Sequence, residues 1–273
     1  MAEVWSDRPG GPDESDGRPD QRGEGARGIG APGNRAPRGA GEGDGASAGA
    51  AAPRRAALPE EADAWRELVA TARRTVADGL VVGTSGNVSV RVGDTVLVTP
   101  TGVPYDRLTA RDLTAVDLDG HQVTGTLRPT SELPLHLAVY RNTAAGAVVH
   151  THAVHATAVS TLVPALPDIH YLAGTLGGTV RVAPYATYGT EELARNALAA
   201  LEDRTGCLLA NHGALTYGDT LDQAYDRTAQ LEWMCRVWLA ASSVPGLTPA
   251  VLPADRMAEA RDRLRGYGQP RGV

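Results

Sequence analysis

Three histidines and a glutamate are the residues here whose types and spacing fit chemistry. His150 and His152 flank Thr151 in an apolar run from Ala147 to His152. Read as a strand, that run turns residues i and i+2 to one face, so both imidazoles converge on one point. Neutral imidazole suits zinc, and a His-x-His pair is a recurring way to present two of them. On its own the pair also fits two hydrogen-bonded core histidines. His212 shifts the balance. It closes a second apolar run, 206–211, and Gly213 after it lets another backbone approach closely. Strand ends beside a sheet are where open α/β folds place their sites. Three histidines with one open position is the pattern of a catalytic zinc, not of a closed structural one.

Glu132 is the candidate for moving a proton. Thr130-Ser131-Glu132 reads as a helix start, with Ser131 as N-cap, Glu132 in the first turn and Pro134 tolerated there. A glutamate in that place also simply suits the helix dipole. The Thr130 and Ser131 hydroxyls beside exposed helix N–H groups form a ready anion site. Gly83-Thr84-Ser85-Gly86-Asn87 and Thr101-Gly102 are two more loops rich in N–H and hydroxyl donors. Among the other histidines, His155 follows the strand and reads as supporting the ligands. His136 lies one turn after Glu132 and either supports the site or is core. His121 sits in a turn and reads as solvated.

Composition narrows the reaction. The chain has no lysine, so all 26 basic residues are arginine. Schiff-base chemistry, the Walker P-loop and pyridoxal phosphate attachment each need a lysine amine and are excluded. Stabilising a carbanion then falls to a metal or a bound cofactor. A net charge of -6 and a pI near 5.6 argue against nucleic acid as the main partner. With no apolar run of membrane-spanning length and no signal-peptide core, the expectation is a soluble cytoplasmic protein with no membrane partner. Cys207 and Cys235 form no CxxC and read as buried, reduced thiols.

The elements that must position these residues begin after residue 55. Residues 1–50 hold 13 Gly and 5 Pro, with Trp5 their only aromatic. Such a segment buries too little apolar surface to offset its ordering entropy, so 1–55 is predicted to be a disordered extension and 56–273 a single domain. Periodicity predicts helices over 60–78, 131–141, 153–162, 191–202, 221–242 and 254–265. Strands are expected at 88–92 and 95–99 around the Gly93-Asp94 turn, at 112–117, 122–125, 147–152, 180–183 and 206–211. Helices alternating with strands around a largely buried sheet imply an α/β protein of three layers, α/β/α.

Seven blocks along the chain carry a resemblance. They are Gly83 to Arg91, Val98 to Tyr105, Thr130-Ser131-Glu132, His150 to His155, Ile169-His170-Tyr171, Ala183 to Gly189 and Asn211-His212-Gly213. Their order and content resemble the class II aldolase/adducin head family over about residues 58–268. The resemblance implies a three-layer sandwich with a mainly antiparallel central sheet. It implies a homotetramer with active sites at subunit interfaces and a small sugar phosphate as substrate. It makes His150, His152 and His212 the ligands of a Zn2+ cofactor, and Glu132 the proton-transfer residue. Thr84, Gly86, Asn87, Thr101, Gly102, Thr130 and Ser131 fall on phosphate-binding positions; Thr130 stands where the family carries serine, which keeps the hydroxyl. Tyr171 matches a proton donor that reaches a neighbouring subunit's site, and Tyr267 a C-terminal tyrosine that closes it. The implied reaction is cleavage of a (deoxy)ketose 1-phosphate to dihydroxyacetone phosphate and an aldehyde. A dehydratase or a 4-epimerase on the same scaffold is the alternative, though epimerases tend to carry Asp at the Glu132 position. The adducin head, an interaction module, lacks the histidines that this chain keeps.

Overall fold

The structure, a computed structural model of the 273-residue chain, describes residues 54–267. The expected disorder of 1–55 lies almost wholly outside the described residues, as does the end of the domain beyond Tyr267. Helix α1 (Pro59–Ala77) leads into the hairpin β1 (Asn87–Val92) and β2 (Thr95–Val98), then β3 (Ala115–Asp117) and β4 (Gln122–Thr124). Helix α2 (Leu133–Asn142), β5 (Ala147–Thr151), α3 (Val154–Ser160), β6 (Ala165–Leu166) and β7 (Val180–Ala183) follow. The chain closes with α4 (Glu191–Ala200), β8 (Gly206–Leu209), β9 (Gly213–Gly218), α5 (Leu221–Ser242) and α6 (Ala254–Leu264).

The strands form one sheet in the order β4-β3-β2-β1-β5-β9-β8-β7-β6. Only β7 and β8 run parallel; the other pairs are antiparallel, as expected. β5 lies in the middle and all five of its residues are buried, which is why it reads as an unbroken apolar run. On one face α2 and α4 bring Leu135, Val139, Leu193 and Ala197 onto Val96, Val148 and Leu215. On the other, α1 lays Trp65, Leu68 and Ala72 over Val88, Leu97 and Val149, while α3 and α5 cover Leu208 and Ala214. The predicted α/β/α layering is therefore present. No helix among the described residues is long and apolar enough to cross a membrane.

Several local expectations shift. The expected strand at 112–117 shortens to β3, because Thr109 caps a 3-10 turn at Ala110–Asp112 and exchanges hydrogen bonds with Asp112. The N-cap of α2 is Glu132, not Ser131: Glu132 has φ -96° and ψ 20°, and its own N–H donates to the Thr130 hydroxyl. Two strands were not foreseen, β6 and β9, nor was the 3-10 turn Tyr171–Leu176. The run 206–211 ends early as β8, and the chain reverses at once into β9. Asn211 adopts the left-handed conformation at this reversal, with φ 55°, a position asparagine tolerates better than most residues.

Candidate metal centre and active site

Three adjacent central strands, β1, β5 and β9, carry the site. His150 on β5 pairs with Asn87 on β1 and with Leu215 on β9. His152 lies one residue past the end of β5, and His212 sits in the turn that enters β9. Gly213 makes the approach possible: a Cβ there would stand 2.2 Å from the Thr151 carbonyl oxygen. The three imidazoles come together with ring centroids 4.9, 4.8 and 4.7 Å apart and planes 71–84° to one another. One ligand atom from each, with one from Glu132, all lie within 4.8 Å of each other.

Hydrogen bonding fixes which atoms face the centre. His150 Nδ1 lies 2.9 Å from the Ala214 carbonyl oxygen. A carbonyl only accepts, so the neutral ring carries its proton on Nδ1 and presents the Nε2 lone pair inward. That Nε2 is 3.0 Å from His152 Nε2 and 3.1 Å from Glu132 Oε2. Glu132 Oε1 is 3.4 Å from His212 Nε2, buried, and without a hydrogen bond. Burial, then the neighbouring His150, pushes His152 and His212 down to about 4, so both are neutral at pH 7 and able to ligate. Burial lowers His150 too, but the Glu132 carboxylate outweighs it and raises the ring's pKa. Burial would raise Glu132, yet His150, Asn87 and His212 hold it well below the usual carboxylate range. Three imidazoles, two of them neutral at pH 7, and an ionised, under-bonded carboxylate converging on one point fit a divalent cation, whose binding displaces any proton from His150 Nε2.

Above the centre lies a cleft of about 340 Å³. All seven expected anion-binding positions, Thr84, Gly86, Asn87, Thr101, Gly102, Thr130 and Ser131, line it, with Glu132, His152 and His212. No arginine lines it among the described residues, so an anion there is met by N–H groups and hydroxyls. Gly86 presses its loop onto β5, where a Cβ would fall 2.8 Å from the His150 carbonyl oxygen. The Tyr105 hydroxyl, 2.5 Å from the Gly86 carbonyl oxygen, donates to it and holds the loop. The Asn87 amide is turned inward and donates to Glu132 Oε2 at 2.9 Å.

The other expected residues lie apart. Tyr171 and Tyr267 do not line this cleft; together they line another of about 510 Å³, beside Thr175 and Gln230. His155 turns away from the centre, with Nδ1 2.6 Å from Glu232 Oε1. His121 is exposed beside Asp117, and His170 packs at a tilt on Tyr171 and edge-on against Trp233. Both cysteines are free and buried, and burial raises the Cys207 thiol to about 12. Tyr185, Tyr188 and Asn211, which have no expected role from the sequence, also line the cleft above the histidines. Tyr185 and Tyr188 lie inside the block Ala183 to Gly189, and two tyrosines within a block that carries the resemblance are the signal that could have flagged them.

Comparison with known proteins agrees with this geometry. Residues 66–239 match the family model for the Class II Aldolase and Adducin N-terminal domain. The chain is 38% identical over 205 residues to L-fuculose phosphate aldolase of Escherichia coli K12, covering 74% of this chain and 94% of that one. It is 37% identical over 203 residues to a 5-methylthioribulose-1-phosphate/5-deoxyribulose-1-phosphate aldolase of Rhodospirillum rubrum, covering 74% and 90%. A solved structure of L-fuculose 1-phosphate aldolase superposes with a TM-score of 0.72 at 34% identity, over 74% of this chain and 96% of that one. A cleft lined by histidines at the centre of a mainly antiparallel sheet, a match over most of the folded part and relatives covered over 90% or more of their length that are aldolases place the chain in the class II aldolase and adducin N-terminal domain family, as an enzyme of the aldolase type.

Proposed function

We propose that the protein is a zinc-dependent aldolase that cleaves a (deoxy)ketose 1-phosphate, such as L-fuculose 1-phosphate, to dihydroxyacetone phosphate and an aldehyde. The observation that carries this is the convergence of His150, His152, His212 and Glu132 within 4.8 Å beneath a cleft that has no arginine among the described residues lining it. Zinc bound there supplies Lewis-acid stabilisation of negative charge on neighbouring substrate oxygens. His150, His152 and His212 hold the ion. Thr84, Gly86, Thr101, Gly102, Thr130 and Ser131 surround the phosphate with N–H and hydroxyl donors, and Asn87 lies at the junction between that cradle and Glu132. Glu132 exchanges the proton on the dihydroxyacetone phosphate carbon. Its Oε2 is fixed by Asn87, which leaves Oε1 as the oxygen free to take the proton.

Tyr171 and Tyr267 belong to this reading as groups that a neighbouring subunit lends. Tyr171 is half-exposed and Tyr267 nearly fully so, in a cleft separate from their own chain's metal site. A homotetramer with shared sites gives both a place to act, Tyr171 as donor to the aldehyde oxygen. Light scattering then finds a particle about four times the 28.4 kDa chain.

The test is to incubate the zinc-loaded protein with L-fuculose 1-phosphate and, separately, with 5-deoxyribulose 1-phosphate. Release of dihydroxyacetone phosphate from either supports the proposal. Loss of water without carbon–carbon cleavage would show a dehydratase instead, and inversion without cleavage an epimerase.

A further inference from the structure

We infer that His136, backed by Ser89 and Tyr140, is a positioning residue that aims the Asn87 amide and, through it, the Glu132 carboxylate. The inference rests on the proposed role of Glu132 and extends it to residues that touch neither metal nor substrate.

The argument follows the hydrogens. Glu132 Oε2 can only accept, so at 2.9 Å the Asn87 Nδ2 donates to it. That turns Asn87 Oδ1 the other way, towards His136 Nε2 at 2.5 Å. Oδ1 only accepts, so His136 Nε2 must carry a hydrogen. Burial, reinforced by His150, drives the pKa of His136 down to about 3, so the ring is neutral. A neutral ring with its hydrogen on Nε2 has a lone pair on Nδ1, which accepts from the Ser89 hydroxyl at 2.6 Å. The one hydrogen of Ser89 is then committed, so its oxygen accepts from the Tyr140 hydroxyl at 2.8 Å. Each hydrogen that links Tyr140, Ser89, His136, Asn87 and Glu132 has one position and one direction.

Local structure builds this ladder. Asn87 and Ser89 are two apart on β1 and face the same side. Glu132, His136 and Tyr140 are four apart along α2 and its cap, so they form one stripe. The stripe packs on the strand with the side chains interleaved. Asn87 is 4% exposed, Ser89 and His136 are 0% and Tyr140 is 2%. Buried polar groups destabilise unless fully satisfied, and apolar residues would fill this space without that requirement. What the network adds is direction. If His136 carried its hydrogen on Nδ1, Asn87 would have to turn over and point Oδ1 at the carboxylate, setting two acceptors face to face.

The experiment compares the zinc-loaded full chain with H136L and H136Q. In H136L, Asn87 Oδ1 loses its donor. The Gln side chain places an amide N–H near the former Nε2 and restores it. For H136L, kcat for ketose 1-phosphate cleavage falls about 10- to 100-fold, while zinc content is kept and KM changes less than about twofold. H136Q recovers roughly tenfold or more of that loss. In wild type, 15N NMR of the histidine rings, assigned by difference from H136Q, shows His136 neutral with its hydrogen on Nε2 from pH 6 to 8. A folded, zinc-loaded H136L with wild-type kcat would overturn the inference. So would H136Q being no faster than H136L, or a ring hydrogen on Nδ1. If H136L does not fold, H136Q and the ring spectrum decide. If wild type cleaves neither ketose phosphate, the aldolase reading fails, and the ring spectrum still decides the orientation.

Discussion

Replacing Gly213 with alanine sets a methyl carbon 2.2 Å from the Thr151 carbonyl oxygen and 3.2 Å from His152 Cα. Real Cβ atoms do not come closer than 3.0 Å. Both obstructing atoms are backbone, so no side-chain rotation relieves the clash, and the ends of β5 and β9 must part by about 0.8 Å, the difference between 3.0 and 2.2 Å. They part where all three histidines sit: His150 on β5, His152 just beyond it and His212 immediately before the substituted residue. Metal–ligand distances tolerate only about 0.2 Å, so G213A weakens zinc binding. Misplacement on the order of 1 Å costs about 100-fold in rate. Overpacking of this kind also destabilises by about 1–3 kcal/mol, which lowers Tm by roughly 2–12 °C for a domain of this size. The assay is zinc content by mass spectrometry after dialysis, dihydroxyacetone phosphate release, and a thermal melt on the same sample. Full zinc, wild-type kcat and an unchanged Tm together would refute the claim that this close strand contact assembles the metal site.

Three further outcomes follow from the same geometry. E132Q keeps the three imidazoles and retains its zinc, but proton exchange at dihydroxyacetone phosphate falls by about 10²- to 10⁴-fold; unchanged exchange, read by deuterium washout, removes Glu132 from its role. Stripping the metal with a chelator lowers Tm and abolishes cleavage, and zinc restores both, because a ligand of the folded state alone stabilises it by about 2.7 kcal/mol at a hundred times its Kd. A chelated protein that melts and turns over as before contradicts the metal site. Cys207 and Cys235 are buried with raised thiol pKa values, so neither is alkylated at pH 8 until denaturant is added; modification of the native protein, seen by mass, would show that one is accessible.

Much of this protein was legible along the chain. The periodicity of 60–78, the Gly93-Asp94 turn and the periodicity of 191–202 each produced the element expected of them. Local rules suffice there because the neighbours that decide the conformation lie within a few residues. The missing lysine likewise restricted the chemistry before any fold was known. Elsewhere the local signal pointed wrongly. The run 206–211 read as one strand because only Asn211 marks the reversal, and the reversed segment is held as β9 by pairing with β5, some sixty residues away in sequence. His152 was expected in a strand and lies past it, yet its ring still meets the others because His212 comes to it across the turn.

Sequence by itself determined which atoms are present: three imidazoles, one carboxylate, loops of N–H and hydroxyl donors, and no amine. Tertiary structure alone decided what each atom does. His136 has the same residue type as His150, but α2 seats it with Nε2 on Asn87 Oδ1 and Nδ1 on the Ser89 hydroxyl, away from the three clustered imidazoles. Asn87 sits in a loop-like motif that reads as an anion site, but its pairing with His150 across β1 and β5 turns its amide towards Glu132. A histidine's tautomer and an amide's direction are set by which acceptors and donors stand opposite, and those partners are chosen by sheet register and helix packing rather than by neighbours in the chain.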